Sequence, residues 1–200
     1  RNEKYEKLNY QLDTEYLREF LENFNRDKVR FVFFNAKFDM RVIENHIGVK
    51  IKPYFDAYIA SRLLNENEPE KGLKALYKKY ILNGKEDSFS YSQLFEDIPF
   101  NLVPINVGYL YAARDAEVTF ELYEFQLPYL TNGTKENTEQ ELKDVSNLFW
   151  NIEMPLVSVV SNMEQLGVKF DFKKQKELSE KYHKLQDEAE KKFYEELKKY

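Results

Sequence analysis

The sequence predicts an α/β domain followed by long helices. Three observations carry this prediction. Short apolar runs alternate with amphipathic helical patterns through the first 130 residues, Thr131-Asn-Gly-Thr134 then punctuates the chain, and beyond it the pattern is helical almost throughout. Strands alternating with helices are the pattern of helices packed on a mostly parallel sheet.

The elements follow in order. Thr14 to Asn25 carries Tyr16, Leu17, Phe20, Leu21 and Phe24 at helical spacing, with Asp13 or Thr14 as N-cap. Val29 to Phe34 is a β-branched and aromatic run, so a buried strand. Ala36 to Ile47 is a helix stopped by Gly48. A second strand is expected over Ile51 to Phe55, and Asp56 caps a helix through Leu64. Residues 65–71 form a polar loop; Leu73 to Tyr80 is a helix ended by Asn83-Gly84; Tyr91 to Phe95 is a short helix. Val107 to Tyr129 is a long helix interrupted near Pro128. After the linker, Thr138 to Leu166 is one helical stretch with Asn137 as N-cap and a kink at Pro155. A turn and strand over 167–171 lead into a charged helix, Phe172 to Tyr200. Leu178, Tyr182, Leu185, Ala189, Phe193 and Leu197 share one of its faces. The expected division is residues 1–133 and 134–200.

Composition excludes several classes. The chain is 42% apolar, with 15 Tyr and 16 Phe against only 6 Gly and 6 Pro, which favours packed elements over disorder. A net charge of −5 excludes a basic nucleic-acid-coating protein, but not an enzyme whose cations meet phosphate. The absence of Cys excludes disulfides and thiolate metal sites and fits a reducing cytosol. No apolar run approaches the ~18 residues of a membrane span. The polar start, without Met, is expected of a fragment or a processed chain.

Two constellations can carry chemistry. Asp39 follows Asn35, Lys37 and Phe38 in the first turn of a helix behind a buried strand. Ligands of α/β proteins gather at that edge. Tyr111 and Asp115 lie one helical turn apart and so share a face. There a carboxylate can hold a divalent cation while a phenol orients a water. Taken singly, each has a plain structural explanation: a solvated acid in a first turn, and a tyrosine in a helix interface.

Asn35-Ala-Lys-Phe-Asp39 followed by Tyr111-x-x-x-Asp115 resembles the 3′→5′ exonuclease domain of family A DNA polymerases, an RNase H-like (DnaQ-like) fold. The resemblance continues in Tyr54-Phe-Asp-Ala-Tyr, which is similar to the family's segment opening Phe-Asp-Thr, and in Gly72-Leu-Lys-Ala-Leu. It extends through Asn151-Ile-Glu-Met-Pro-Leu to Asp171, which resembles the passage into the polymerase thumb. It implies a two-metal site for Mg²⁺ or Mn²⁺ held by four carboxylates, two of them Asp39 and Asp115. Tyr111 would orient the attacking water, with Asn35 and Phe38 lining the cleft beside the 3′-terminal nucleotide. It further implies DNA as partner (a single-stranded 3′ end or primer-template), together with the remainder of a polymerase. The setting would be the cytoplasm of a bacterial cell or a virus-infected host, with no membrane.

The family's other two acids come from an Asp-x-Glu on its first strand. Asp13-Thr14-Glu15 has the spacing but opens an amphipathic helix, so these residues are expected as cap and first turn. The expectation is therefore a fold lacking its first strands, followed by the start of the thumb, and a chain poorly active by itself. Two other functions fit the same residues: a ribonuclease D-like exoribonuclease, and a catalytically dead nucleic-acid-binding or scaffold module. His46, His183 and the lysines near 173–176 are expected at the surface, and Trp150 is expected to pack the junction.

Overall fold

Two parallel strands, β1 (Phe31–Phe33) and β2 (Pro53–Asp56), set the frame of the computed structural model. The model describes residues 12–24, 28–85, 91–95, 98–131 and 140–199. The strands pair Val32 with Phe55 and Phe33 with Asp56, with an irregularity between Phe31 and Val32. Helix α2 (Ala36–Ile47) makes the crossover that a parallel pair requires. The remainder is mostly helical: α1 (Thr14–Glu22), α3 (Ala57–Leu64), α4 (Leu73–Tyr80), α5 (Tyr91–Phe95), a 3₁₀ turn at Phe100–Leu102, and α6 (Ile105–Leu130). Beyond it come α7 (Gln140–Leu148), a π-helical segment at Phe149–Glu153, α8 (Met154–Leu166) and α9 (Phe172–Leu197). The result is a mixed α/β fold with a small sheet.

The chain divides into two compact units after Gln165. In the first, Phe55 is the hub of the core: its ring meets Tyr123 and Phe149 at 4.9 Å and Trp150 at 6.0 Å. Ala57 and Ala60 of α3, Leu76 of α4, Leu122 and Leu130 of α6 and Val157 of α8 close around it. Small residues on α3 let α6 approach, and Gln126 spans the contact by donating to Ser61 Oγ at 2.7 Å and the Ala57 carbonyl at 3.2 Å. A buried amide so bonded fixes the helix register. The second unit is α9 and the segment before it, with Asp171 accepting the Lys174 N–H at 2.9 Å as N-cap. The face carrying Leu178, Tyr182, Leu185, Phe193 and Leu197 is exposed.

Helices α2 and α4 match their expected bounds. Gly48 ends α2 in the left-handed conformation, its N–H returning to Ile43 and Glu44. Asn83 and Gly84, both at positive φ, follow α4. Four expectations are corrected. Helix α1 ends at Glu22, before Asn25. Helix α6 runs through Pro128 to Leu130: a proline in the last turn withholds only the N–H that would meet the Glu124 carbonyl, and the helix-end carbonyls find other donors. Thr131 Oγ1 donates to the Leu127 carbonyl at 3.1 Å, and Ser146 Oγ and Trp150 Nε1 donate to the Leu130 carbonyl at 2.7 and 2.6 Å. The later stretch is helical without a break from Gln140 to Leu166, as expected, but its irregularity is a π-helical segment at Phe149–Glu153, immediately before Met154-Pro155, rather than a kink at the proline itself. Residues 168–171 form no strand; Gly167, at φ 66°, turns the chain directly toward α9. Most of the expected linker, the 133/134 boundary and Asn137 lie outside the described residues.

Candidate active site

The chain leaves β1 through Phe34 and enters α2 through Asn35, whose φ of 70° places it in the left-handed region that Asn tolerates better than most residues. Its side chain makes no capping bond. The cap comes from Asp56 at the end of β2, which is 2% exposed. Asp56 accepts the backbone N–H of Asn35 at 2.9 Å, of Ala36 at 2.7 Å and of Tyr58 at 3.0 Å. One carboxylate thus caps two helices, α2 and α3, and locks the turn that aims Asp39. Burial pushes the Asp56 carboxyl up, against the backbone N–H groups that pull it down.

A cleft of about 620 Å³ runs along β1, lined by Arg30, Phe33, Asp39, Leu73, Asp115 and Thr119 among others. It brings Asp39 and Asp115 onto one surface, although they are far apart in sequence and on different helices. Asp39 is half-buried, and burial followed by the negative charge of Asp56 raises its carboxyl above the usual range. Such a group gains from a cation nearby. Asp115 is oriented by α6, with Thr119 Oγ1 donating to its backbone carbonyl at 2.7 Å. Its Oδ1 is buried and forms no aligned hydrogen bond among the described residues; Lys74 Nζ lies 2.5 Å away as an ionic neighbour. Tyr111, one turn earlier, is half-buried beside Phe95, the rings 5.9 Å apart, and the same Lys74 ammonium stands 5.4 Å from its ring centroid.

Tyr111 does not itself line that cleft, and the remaining expected site residues also stand apart from it. Phe38 is exposed, and Asn35 lines a separate, smaller pocket with Asp56, Tyr58 and Glu153. Asp13 accepts the Glu15 N–H at 3.0 Å as the N-cap of α1, and Glu15 pairs with Arg18 at 2.8 Å. His46 lies in the last turn of α2, and His183 Nδ1 contacts the Ser179 carbonyl at 2.7 Å. Trp150 packs against Tyr54, with ring centroids 5.2 Å apart.

Sequence reasoning missed Lys74 and the second helix capped by Asp56. Lys74 carried a readable signal: a cation in the first turn of α4, where the helix dipole disfavours it, needs an anion from elsewhere.

Would a divalent ion fit here? Two carboxylates share the cleft, one of them destabilised as an anion and the other with a buried oxygen paired to the Lys74 ammonium. Among the described residues, no group of three or more His, Cys, Asp or Glu is placed to hold a metal. Mg²⁺ is commonly bound by one or two carboxylates plus substrate phosphates, so the donor set suits one loosely held ion.

An α/β frame with paired acids in a cleft beside parallel strands defines an acidic-cleft α/β domain. A family model described as 3′-5′ exonuclease matches residues 2–128, and the chain belongs to that family, the 3′-5′ exonuclease domain of family A DNA polymerases. It is 27% identical over 178 residues to a DNA polymerase of Escherichia phage T5, covering 81% of this chain and 19% of that protein. It is 26% identical to DNA polymerase I of Borreliella burgdorferi (80% and 16% covered) and 32% identical to DNA polymerase I of Chloroflexus aurantiacus (68% and 14%). The chain thus spans less than a fifth of the length of each of these relatives. No helix among the described residues is long and apolar enough to cross a membrane.

Proposed function

We propose that this chain is part of a family A DNA polymerase and carries most of its proofreading exonuclease, an RNase H-like fold that removes nucleotides from single-stranded DNA 3′ ends. The observation that carries this reading is Asp39 and Asp115 lining one cleft, within the span matched by the family. That match also favours it over a ribonuclease D-like enzyme or a dead scaffold. Residues 1–133 are then the partial exonuclease domain, and 134–200 the connecting helix and beginning of the thumb. The location is the cytoplasm of a bacterial cell or a virus-infected host.

Water attacks the terminal phosphorus, the bond to the 3′ oxygen breaks, and a 5′-mononucleotide leaves with a new 3′-hydroxyl behind it. Asp39 and Asp115 would hold the Mg²⁺ or Mn²⁺, and Tyr111 would orient the water. When bound, the metal supplies an acidified water and neutralises charge building on the phosphate. Asn35 and Phe38 contact the terminal nucleotide from the α2 entrance. With two acids of four, the 200-residue chain is a weak nuclease.

The test is digestion of a 3′-labelled single-stranded DNA in Mn²⁺ by four proteins: this chain, a version extended upstream through an Asp-x-Glu strand, and Asp115→Ala in each. Cleavage by the extended version, reduced by about 10³-fold or more in Asp115→Ala, is expected. Cleavage untouched by Asp115→Ala would remove the reading.

A further inference from the structure

Lys74 sits where a surface lysine gains little. It is in the first turn of α4, against the helix dipole, and its side chain is only 19% exposed. Packing of α4 on α6 holds it there: Tyr77 donates to Glu121 at 2.7 Å, and Arg114 donates to the Tyr77 hydroxyl at 3.2 Å. The Lys74 ammonium then meets the buried Oδ1 of Asp115, which has no aligned hydrogen bond among the described residues, at 2.5 Å, and stands 5.4 Å from the Tyr111 ring centroid. We propose that Lys74 is an internal counter-cation that occupies the divalent-ion position on Asp115, so that metal binds only by displacing it. This rests on reading Asp115 as a metal ligand.

The physical logic is competition at one oxygen. A half-buried carboxylate in a cleft that also holds Asp39 is costly without a cation. Lys74 supplies that cation when no metal is present, keeping the cleft formed. A divalent ion carries twice the charge and wins at sufficient concentration. The released ammonium remains tethered in the cleft, where a substrate phosphate would be its next anion.

The experiment measures Mn²⁺ affinity by electron paramagnetic resonance of the free ion, at low salt, on the full chain and its Lys74→Met and Lys74→Arg variants. Methionine keeps the apolar stem and helix preference and removes the charge. Lys74→Met is expected to bind Mn²⁺ about fivefold more tightly, the worth of one partly buried ion pair, and Lys74→Arg no more tightly than the unsubstituted chain. Equal or weaker binding by Lys74→Met, or none by either protein, overturns the proposal. A second readout needs no folded Met variant. In ¹³C-methylated lysine NMR, the Lys74 signal is expected to move on Mg²⁺ addition and to stay fixed in Asp115→Asn; a signal unmoved by Mg²⁺ in the unsubstituted chain also overturns it. The two readings separate cleanly. Tighter Mn²⁺ binding without DNA cleavage by any version leaves Lys74 as proposed and removes the nuclease. Cleavage that needs Asp115, with affinity indifferent to Lys74, does the reverse.

Discussion

Glu68 and Asp39 are both acids withdrawn from water, and the protein serves them in opposite ways. Glu68, 3% exposed, receives Lys79 Nζ at 2.9 and 2.8 Å, the Tyr80 hydroxyl, and the Glu70 N–H at 3.2 Å. Those donors pull its carboxyl down to about 2. Asp39 forms no ion pair or side-chain hydrogen bond among the described residues; burial and Asp56 push its carboxyl up. Glu68 is a closed lock between the 65–71 loop and α4. Asp39 is an open valence. The difference separates two kinds of acid: one completed by the chain's own donors holds the fold, while one left short of them can take a ligand.

Asp56 stands between the two, served by backbone N–H groups but by no cation among the described residues. It gives the largest expected effect. Asp56→Ala strands the Asn35, Ala36 and Tyr58 donors and uncaps two helices at once. A loss of about 3 kcal/mol in urea unfolding is expected, from one buried acceptor and two caps. Asp56→Asn, which keeps one acceptor oxygen, should recover part of it. A loss for Asp56→Ala below about 1 kcal/mol would mean that the turn into α2 is held by packing instead.

Next comes a slope rather than a step. The folded pKa of Glu68, about 2, lies below its ordinary 4.5, so the unfolded chain binds the extra proton between those values. The contribution of Glu68 is complete above pH 4.5 and is lost as pH falls toward 2. Glu68→Gln should therefore flatten the rise of stability across that window. If the variant and the unsubstituted chain keep the same slope in acid unfolding, the Lys79–Tyr80 cage does not act on a charge.

How much of this was legible beforehand depended on the range of the signal. Helices α2 and α4 were readable because their stops are local: Gly48, and Asn83-Gly84, encode left-handed turns in one or two residues. Asp56 was readable as the cap of its own helix but not of α2, because the second set of N–H groups lies twenty residues away and arrives only through strand pairing. The passage of α6 through Pro128 was illegible for the same reason, since the donors that rescue its last turn come from Ser146 and Trp150. At the candidate site, neither spacing nor periodicity could place Asp39 and Asp115 in one cleft. The family resemblance named both residues, and the folding of β1, α2 and α6 around one cleft brought them together.

The smallest expected effect bears most directly on the open valence. If Asp39 is kept for a ligand, the metal-free fold carries it at a loss, and Asp39→Asn should be stabilising. The amide keeps the shape, removes a half-buried charge, and ends its repulsion with Asp56. The gain should be about 0.5 kcal/mol, since the side chain is partly solvated and water screens much of the interaction. The same substitution should weaken Mn²⁺ binding, so that adding Mn²⁺ stabilises the unsubstituted chain more than the variant. That crossing of signs separates the two kinds of acid. Glu68→Gln can only lose stability at neutral pH, because every partner of Glu68 is already in the chain. Should Asp39→Asn also lose stability without metal, Asp39 has an internal partner after all, and its likeness to Glu68 replaces the contrast.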